Sequence, residues 1–309
     1  YIEGTTTQVP LKTGETATIK AVNEKIIGGL EITKIDEDTK AAIEGVTFEV
    51  YNSKKEVIGK ITTGKDGKAV LKVDNMANGT YYYKEVSAPA QYIVDSSMKE
   101  FKITEENKIA KVTVTNKKIR GTLEITKLDD SRVAIEGVKF NILASDKKTV
   151  IETLTTDKSG YATTKKLDKG TYYYQEVEVP DGYVKDEEIF EFQINEQNEV
   201  VKREVINKRI TGNLNVVKVD DNNTPIKGVK FEIYDANKKK VDTITTDSNG
   251  KATSKDLLIG KYYYKEVSAP KEYVMDSNEY EFEVTAKNTQ VLKTVENKRS
   301  AASLKIIKL

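Results

Sequence analysis

Three segments of the chain are near copies of one another: GTYYYKEVSAPAQY (79–92), GTYYYQEVEVPDGY (170–183) and GKYYYKEVSAPKEY (260–273). Repetition at a spacing of about 90 residues constrains the fold strongly, because whatever one unit forms the others must form too. Each copy sits in the same order of pieces. A stretch such as LEITKID (30–36) comes first, followed by EGVTFEVY (44–51), EGVKFNIL (136–143) or KGVKFEIY (227–234). Turn signals follow in TTGKDGKA, TTDKSGYA and TTDSNGKA, where Asp or Asn with Gly supplies hairpin geometry. After the tyrosine strand come EFKITEE, EFQINEQ and EFEVTAK, and last VTVTNKK, REVINKR and KTVENKR.

About seven short strands per unit, with turns between them, predict a β-sandwich. A unit of about 90 residues can bury its own core, so the units read as tandem domains and not as solenoid turns. The joints NKKIRG, NKRITG and NKRSAA are short and carry no Gly/Ser or Pro tract. The expected architecture is therefore all-β, with tandem β-sandwich domains arranged as a stiff rod.

Composition narrows the chemistry. The 309 residues are 32% charged with a net charge of only +1, which gives no electrostatic reason to expect nucleic acid as a partner. Cysteine, histidine and tryptophan are absent, which removes disulfides, thiolate nucleophiles, imidazole bases and the usual zinc sites. No apolar run approaches the roughly 20 residues needed to span a bilayer, so no membrane contact is expected in this segment. Seventeen tyrosines against five prolines favour strands. Neither a cofactor nor a metal is expected, and no turnover enzyme.

The first strand of each unit holds an anomaly. Leu30 and Ile32 share a face by the period of two, and the next residue on that apolar face is Lys34. Lys127 follows Leu123 and Ile125, and Lys218 follows Leu214 and Val216, in the same way. The last strand points an amide inward, pairing Val114 with Asn116, Val205 with Asn207 and Val295 with Asn297. The tyrosine strand points in an acid, with Tyr83 and Glu85, Tyr174 and Glu176, and Tyr264 and Glu266 on one face. The glutamate stands 31 residues before the asparagine in every unit. Three complementary polar groups in one core form either a satisfied network or a reaction. Burial disfavours both charges, so a Lys beside a Glu can exist as neutral amine and neutral acid. A neutral amine is a nucleophile, the carboxamide carbon is an electrophile, and the acid can shuttle protons while ammonia leaves.

These residues carry a resemblance. The pattern GxYYYxEVxxP…Y resembles the E-box of Gram-positive pilins, and the whole unit resembles the Cna-B or SpaA-like B-type repeat of collagen-binding surface adhesins. The resemblance implies an Ig-like or prealbumin-like sandwich with an intramolecular isopeptide bond between first and last strands, assisted by a buried acid. Carried over, it implies bonds from Lys34 to Asn116 with Glu85, from Lys127 to Asn207 with Glu176, and from Lys218 to Asn297 with Glu266. Gln91 and Glu272 depart from the pattern, which has Gly before the final Tyr as in PDGY of the middle unit. Implied too are an extracellular, cell-surface location in a cell wall or pilus, a structural role as stalk or pilus shaft, and neighbouring repeats of the same polypeptide or pilus as partners. Host surface ligands would be engaged by other domains.

Expected domains are Cna-B-like units at 28–118, 119–209 and 210–299. Residues 1–27 read as the tail end of a preceding repeat, with Asn23 in its amide position, and 300–309 as the first strand of a following one, with Lys308 in its lysine position. The chain is expected to be an out-of-phase slice of a longer array, with those two residues unlinked to each other. Plainer readings stand beside these. The outward Tyr82, Tyr173 and Tyr263 offer a platform for a ligand-binding adhesin that grips host matrix or glycan. The acidic tracts DEDTK, DDSR and DDNN match no calcium loop and read as turn chemistry. Asp186 with Glu187 has no counterpart in a plausible cleft to suggest glycoside hydrolysis.

Overall fold

Period-two alternation with β-branched and aromatic residues builds strands throughout the computed structural model. It describes residues 27–300 apart from 75, together with residues 10, 12–14, 16, 18 and 307. Asn23 and Lys308 lie outside the described residues. Repeat 1 consists of β1 (Ile27–Asp36), β2 (Thr47–Tyr51), β3 (Val57–Thr62), β4 (Lys68–Asp74), β5 (Gly79–Ser87), β6 (Met98–Ile103) and β7 (Ile109–Asn116). Repeat 2 consists of β8 (Arg120–Asp129), β9 (Lys139–Leu143), β10 (Val150–Thr155), β11 (Tyr161–Thr163), β12 (Leu167–Asp168), β13 (Gly170–Glu178), β14 (Ile189–Ile194) and β15 (Val200–Asn207). Repeat 3 consists of β16 (Thr211–Asp220), β17 (Lys230–Asp235), β18 (Lys240–Thr245), β19 (Lys251–Thr253), β20 (Leu257–Leu258), β21 (Gly260–Ser268), β22 (Glu279–Val284) and β23 (Gln290–Asn297).

Each repeat forms two sheets. In repeat 1 these are β4-β1-β7 and β3-β2-β5-β6. In repeat 2, β8 pairs with β11, β12 and β15, and the other sheet runs β10-β9-β13-β14. Repeat 3 places β16 beside β19, β20 and β23, with β18-β17-β21-β22 as its second sheet. The first and last strands of repeat 1 are parallel, with Lys34 opposite Val114 and Asp36 opposite Asn116. Repeat 3 has the same register, with Lys218 opposite Val295 and Asp220 opposite Asn297. The chain is thus a tandem array of β-sandwiches. It divides into two compact units, one running to Thr122 and adding Lys165–Thr171 and Gln193–Val201, the other taking Leu123–Thr164, Tyr172–Phe192 and the chain from Lys202. Each of the three lysine sites falls within one unit.

One strand departs from the expected seven. Where repeat 1 has a continuous β4, repeats 2 and 3 have two short segments. In β4 Leu71 stands opposite Leu30 and Val73 opposite Gly28. At the position of Leu71 the other repeats carry hydroxyls, and Leu123 N–H donates to Thr164 Oγ1 at 3.0 Å, and Leu214 N–H to Ser254 Oγ at 2.9 Å. A side-chain hydroxyl has taken a ladder bond, and one extra residue before Leu167 and Leu257 bulges the strand.

The space between the sheets is filled by inward side chains. Repeat 1 packs Leu30, Ile32, Phe48, Val50, Phe101, Ile103 and Val114, and repeat 3 packs their counterparts from Leu214 to Val295. The same aromatic pair recurs edge to face in all three: Phe48 with Tyr83 at 6.1 Å, Phe140 with Tyr174 at 6.2 Å and Phe231 with Tyr264 at 6.2 Å.

One hairpin glycine per repeat abuts the lysine backbone. Gly160 has φ +73°, and a Cβ there would stand 2.3 Å from Lys127 O. Gly182 also has positive φ, but a Cβ would meet nothing within 4 Å. Both substitutions to Ala carry backbone strain of about 1–3 kcal/mol, and Gly160→Ala adds a clash with backbone. Urea unfolding is expected to show Gly160→Ala as clearly the more destabilising of the two. Equal losses would contradict the packing described.

Candidate functional site

Lysine, glutamate and asparagine come together in the core of each repeat. Lys34, Lys127 and Lys218 each have 0% of their surface exposed, and the six acids and amides are buried with them. Backbone bonds fix each lysine. Lys34 N–H donates to Gly67 O at 2.7 Å and its carbonyl accepts from Ile43 N–H at 3.0 Å. Lys127 does the same with Gly160 and Ile135 (2.7 and 3.1 Å), and Lys218 with Gly250 and Ile226 (2.7 and 3.0 Å). The glutamates lie opposite core phenylalanines: Glu85 with Phe48, Glu176 with Phe140 and Glu266 with Phe231. The pairing then skips Val86, Val177 and Val267, a bulge beside the site in every repeat.

In repeat 1 the three groups close a ring. Lys34 Nζ donates to Glu85 Oε2 at 2.8 Å, to Asn116 Oδ1 at 2.6 Å and to Thr115 O at 3.0 Å. Asn116 Nδ2 completes it by donating to Glu85 Oε1 at 2.6 Å. Repeat 3 repeats the ring, with Lys218 Nζ to Asn297 Oδ1 at 2.6 Å and Asn297 Nδ2 to Glu266 Oε1 at 2.6 Å. Lys218 Nζ stands 3.1 Å from Glu266 Oε2, an ion pair by distance whose angles do not make a hydrogen bond, so that oxygen has no hydrogen-bond donor. Repeat 2 is looser. Lys127 Nζ donates to Val205 O at 3.2 Å and lies 3.8 Å from Glu176 Oε1. Asn207 Nδ2 reaches both Glu176 oxygens at 2.9 Å, which leaves Asn207 Oδ1 buried without a donor.

Burial dominates the lysine electrostatics. It depresses the Lys34 and Lys218 amines below their ordinary value against the opposing pull of Glu85 and Glu266. Lys127 is pushed down to about 8 by the same desolvation, with Glu176 resisting less closely. The ammonium is the costly state in all three cores. In repeats 1 and 3 an amide carbonyl stands 2.6 Å from it beside a carboxylate, whereas in repeat 2 its hydrogen-bond acceptor is Val205 O.

Other residues named from the sequence fall elsewhere. Tyr82, Tyr173 and Tyr263 face away from the core as alternation predicts, with Tyr82 and Tyr263 partly exposed and Tyr173 covered. Tyr173 is only 9% exposed, its hydroxyl donating to Glu191 Oε2 at 2.9 Å and Lys147 Nζ lying 4.6 Å from its ring centroid. In the acidic tracts the first acid turns inward and caps the turn. Asp36 Oδ1 accepts from Asp38 and Thr39 N–H (2.9 and 2.8 Å), Asp129 Oδ1 from Ser131 and Val133 (2.8 and 2.9 Å), and Asp220 Oδ1 from Asn222 and Thr224 (2.9 and 2.8 Å). These buried acids were legible as an Asp two positions beyond every inward lysine. Buried Thr63, Thr156 and Thr246 were not singled out; each ties the end of its hairpin back to the residue just before that hairpin's first strand, as where Val46 N–H donates to Thr63 Oγ1 at 3.0 Å. The departures at Gln91 and Glu272 leave the loop intact, because their carbonyls accept from Ile119 and Ser300 at 2.8 Å as Gly182 does from Ile210 at 2.7 Å.

Fold and site define a class: tandem β-sandwiches, each with a buried Lys, Glu and Asn joining its first strand, its tyrosine strand and its last. Residues 28–118, 121–209 and 212–299 match the family model for the SpaA prealbumin-like fold domain, and the chain belongs to that family. It is 26% identical over 263 residues to the trypsin-resistant surface T6 protein of Streptococcus pyogenes serotype M6, covering 82% of this chain and 43% of that protein. Over 107 residues it is 35% identical to the collagen adhesin of Staphylococcus aureus, covering 31% of this chain and 9% of that protein. The solved structure of the Bacillus anthracis TIE protein is similar with a TM-score of 0.79 at 34% identity, covering 88% of this chain and 51% of that one. The chain spans about half the length of these relatives or less, and they include surface proteins of Gram-positive bacteria.

The lysine electrostatics are testable in a chain that carries Asn207→Ala, in which no carboxamide stands beside the Lys127 amine. With the folded value near 8 and the unfolded value near 10.5, the unfolded state binds more protons between them. Stability then rises with pH across that window. Unfolding of repeat 2 is expected to require more urea at pH 9.5 than at pH 8. A lower requirement at pH 9.5 would contradict the depressed amine.

Proposed function

We propose that each repeat joins its own lysine and asparagine through an amide, Lys34 to Asn116, Lys127 to Asn207 and Lys218 to Asn297, with Glu85, Glu176 and Glu266 moving the protons. The observation that carries this reading is the closed contact of amine, amide and carboxylate in repeat 1, all within 2.8 Å of a partner. The glutamate takes a proton from the lysine ammonium, and the freed amine attacks the asparagine Cγ. A C–N bond forms to lysine Nζ, the bond from Cγ to Nδ2 breaks as the glutamate returns the proton to Nδ2, and a second proton passes from Nζ through the same glutamate to the departing ammonia. The sum is lysine ammonium plus primary amide giving secondary amide plus ammonium. A neutral linkage replaces a desolvated charge, and the fold supplies an effective molarity of roughly 10⁵ M or more.

Placement gives the linkage a mechanical use. Tension enters repeat 1 through β1 and leaves through β7, and the proposed bond joins the eighth residue of β1 to the last of β7. Load then passes from Lys34 to Asn116 directly, and the chain between them, a separation of 82 positions, is bypassed. By the chain-entropy model used for disulfides, closing a loop of that length adds about 4.5 kcal/mol. The function proposed is a structural stalk or pilus-shaft segment of a Gram-positive cell-surface protein, exposed outside the cell and resistant to pulling and proteolysis. It carries three domains at 28–118, 119–209 and 210–299. Its partners would be neighbouring repeats of the same polypeptide or pilus, with host ligands held by other domains. Similarity to a surface protein named for trypsin resistance supports this reading. The covered Tyr173 weighs against a ligand-gripping adhesin face in repeat 2.

Removing one acid separates chemistry from fold. Glu176→Ala is expected to weigh two ammonias less than its own sequence mass where wild type weighs three less, with the missing link mapped to Lys127 and Asn207. A deficit of three ammonias in the variant would show that Glu176 has no part in the reaction. Under load from its ends, a chain with Lys34, Lys127 and Lys218 all changed to Ala is expected to unfold at far lower force than wild type. Superimposable extension curves would refute the stalk mechanism.

A further inference from the structure

Ten positions beyond each triad glutamate stands an aspartate that the chemistry above leaves unused: Asp95 after Glu85, Asp186 after Glu176 and Asp276 after Glu266. The loop that carries it is tied to the end of the last strand. Ile93, Val184 and Val274 N–H donate to Lys117, Lys208 and Lys298 O at 2.9, 2.9 and 2.8 Å, the acceptor in each case following the triad asparagine. In repeat 2 the backbone N–H of Asp186 donates to Glu176 Oε2 at 2.7 Å. Each carboxylate also closes a turn, its Oδ1 accepting from Ser97 at 3.1 Å, Glu188 at 2.9 Å or Asn278 at 3.0 Å.

In repeats 1 and 3 the aspartate shares a cavity with the asparagine. In repeat 1 a cavity of about 380 Å³ has Asn116 and Asp95 in its walls, with Thr115, Glu37 and Lys99. In repeat 3 a cavity of about 220 Å³ has Asn297, Asp276 and Glu296. The triad is otherwise enclosed by apolar core, so this is the side from which its amide meets water. The negative charges of Asp95, Asp186 and Asp276 act on Lys34, Lys127 and Lys218, favouring the charged amine, so the two groups are within electrostatic reach. Asp95 is ionised, its carboxyl held down to about 2 by Lys99 and Ser97.

The proposed reaction needs a group in this position. One positive charge enters the site on lysine and leaves it on ammonium, while the glutamate is occupied with the protons in transit. A fixed carboxylate beside the exit lowers the energy of that departing charge. We propose that Asp95, Asp186 and Asp276 are a second acid of each site, standing on the exit side of the asparagine and stabilising the ammonium as it leaves. This inference rests on the amide-forming reading.

Repeat 2 is the place to test it, because in repeat 1 Lys99 Nζ lies 2.7 Å from Asp95 Oδ2 and offsets its charge, whereas the corresponding residue in repeat 2 is Phe190. The full chain would be made in a short pulse of cell-free synthesis, and each link followed in time by tandem mass spectrometry of digests. Repeats 1 and 3 serve as clocks within the same molecule. Asp186→Asn is expected to slow the Lys127–Asn207 link roughly tenfold, the scale of one carboxylate acting across several ångströms, with the other two unchanged. Asp186→Glu is expected to restore most of the rate. A turn-capping role gives the opposite order, since Asn closes such a turn as Asp does and Glu does not. A wild-type rate in Asp186→Asn, or a Glu variant as slow as the Asn variant, would overturn the inference alone. Absence of any link in wild type would overturn the amide-forming reading beneath it.

Discussion

A lysine ammonium sealed from water sits at the centre of each sandwich, and much else in the repeat is arranged around its cost. Desolvating such a charge costs several kcal/mol even after relaxation, and removing one partner from a buried pair costs about 3–5 kcal/mol more. The first strand delivers the lysine with both backbone groups bonded, one to the hairpin glycine and one to Ile43 or its counterparts. The tyrosine strand bulges just past the glutamate, and the last strand ends on the asparagine. Three separate strands therefore converge on one atom.

The three sites do not solve the problem equally. Repeats 1 and 3 give the amine an amide oxygen at 2.6 Å, whereas repeat 2 leaves Asn207 Oδ1 without a donor and Glu176 at 3.8 Å from the amine. Lys127, with fewer bonds to its charged form, is accordingly depressed to about 8. A buried polar set that remains partly unsatisfied is poor structural design if it is only a network. It is intelligible as the substrate of a reaction that abolishes the charge.

Much of this was legible in the sequence because two periods reinforce one another. Alternation by two placed Lys34, Glu85 and Asn116 on inward faces, and repetition of the unit showed that none of the three was accidental. Where sequence reading fell short, a local polar group had overridden the strand pattern. The hydroxyls of Thr164 and Ser254 broke a strand that Leu71 keeps whole. Tyr173 faces outward, yet neighbouring Lys147 and Glu191 cover it, and such covering depends on strand register that spacing along one chain does not disclose.

The central claim is that the buried charge is consumed by bond formation. Tandem mass spectrometry of a digest of the purified wild-type chain tests it most directly. The account predicts three branched peptides, each joining a first-strand lysine to the last-strand asparagine of its own repeat with loss of ammonia. Recovery of the peptides bearing Lys34, Lys127 and Lys218 as separate linear species would contradict it.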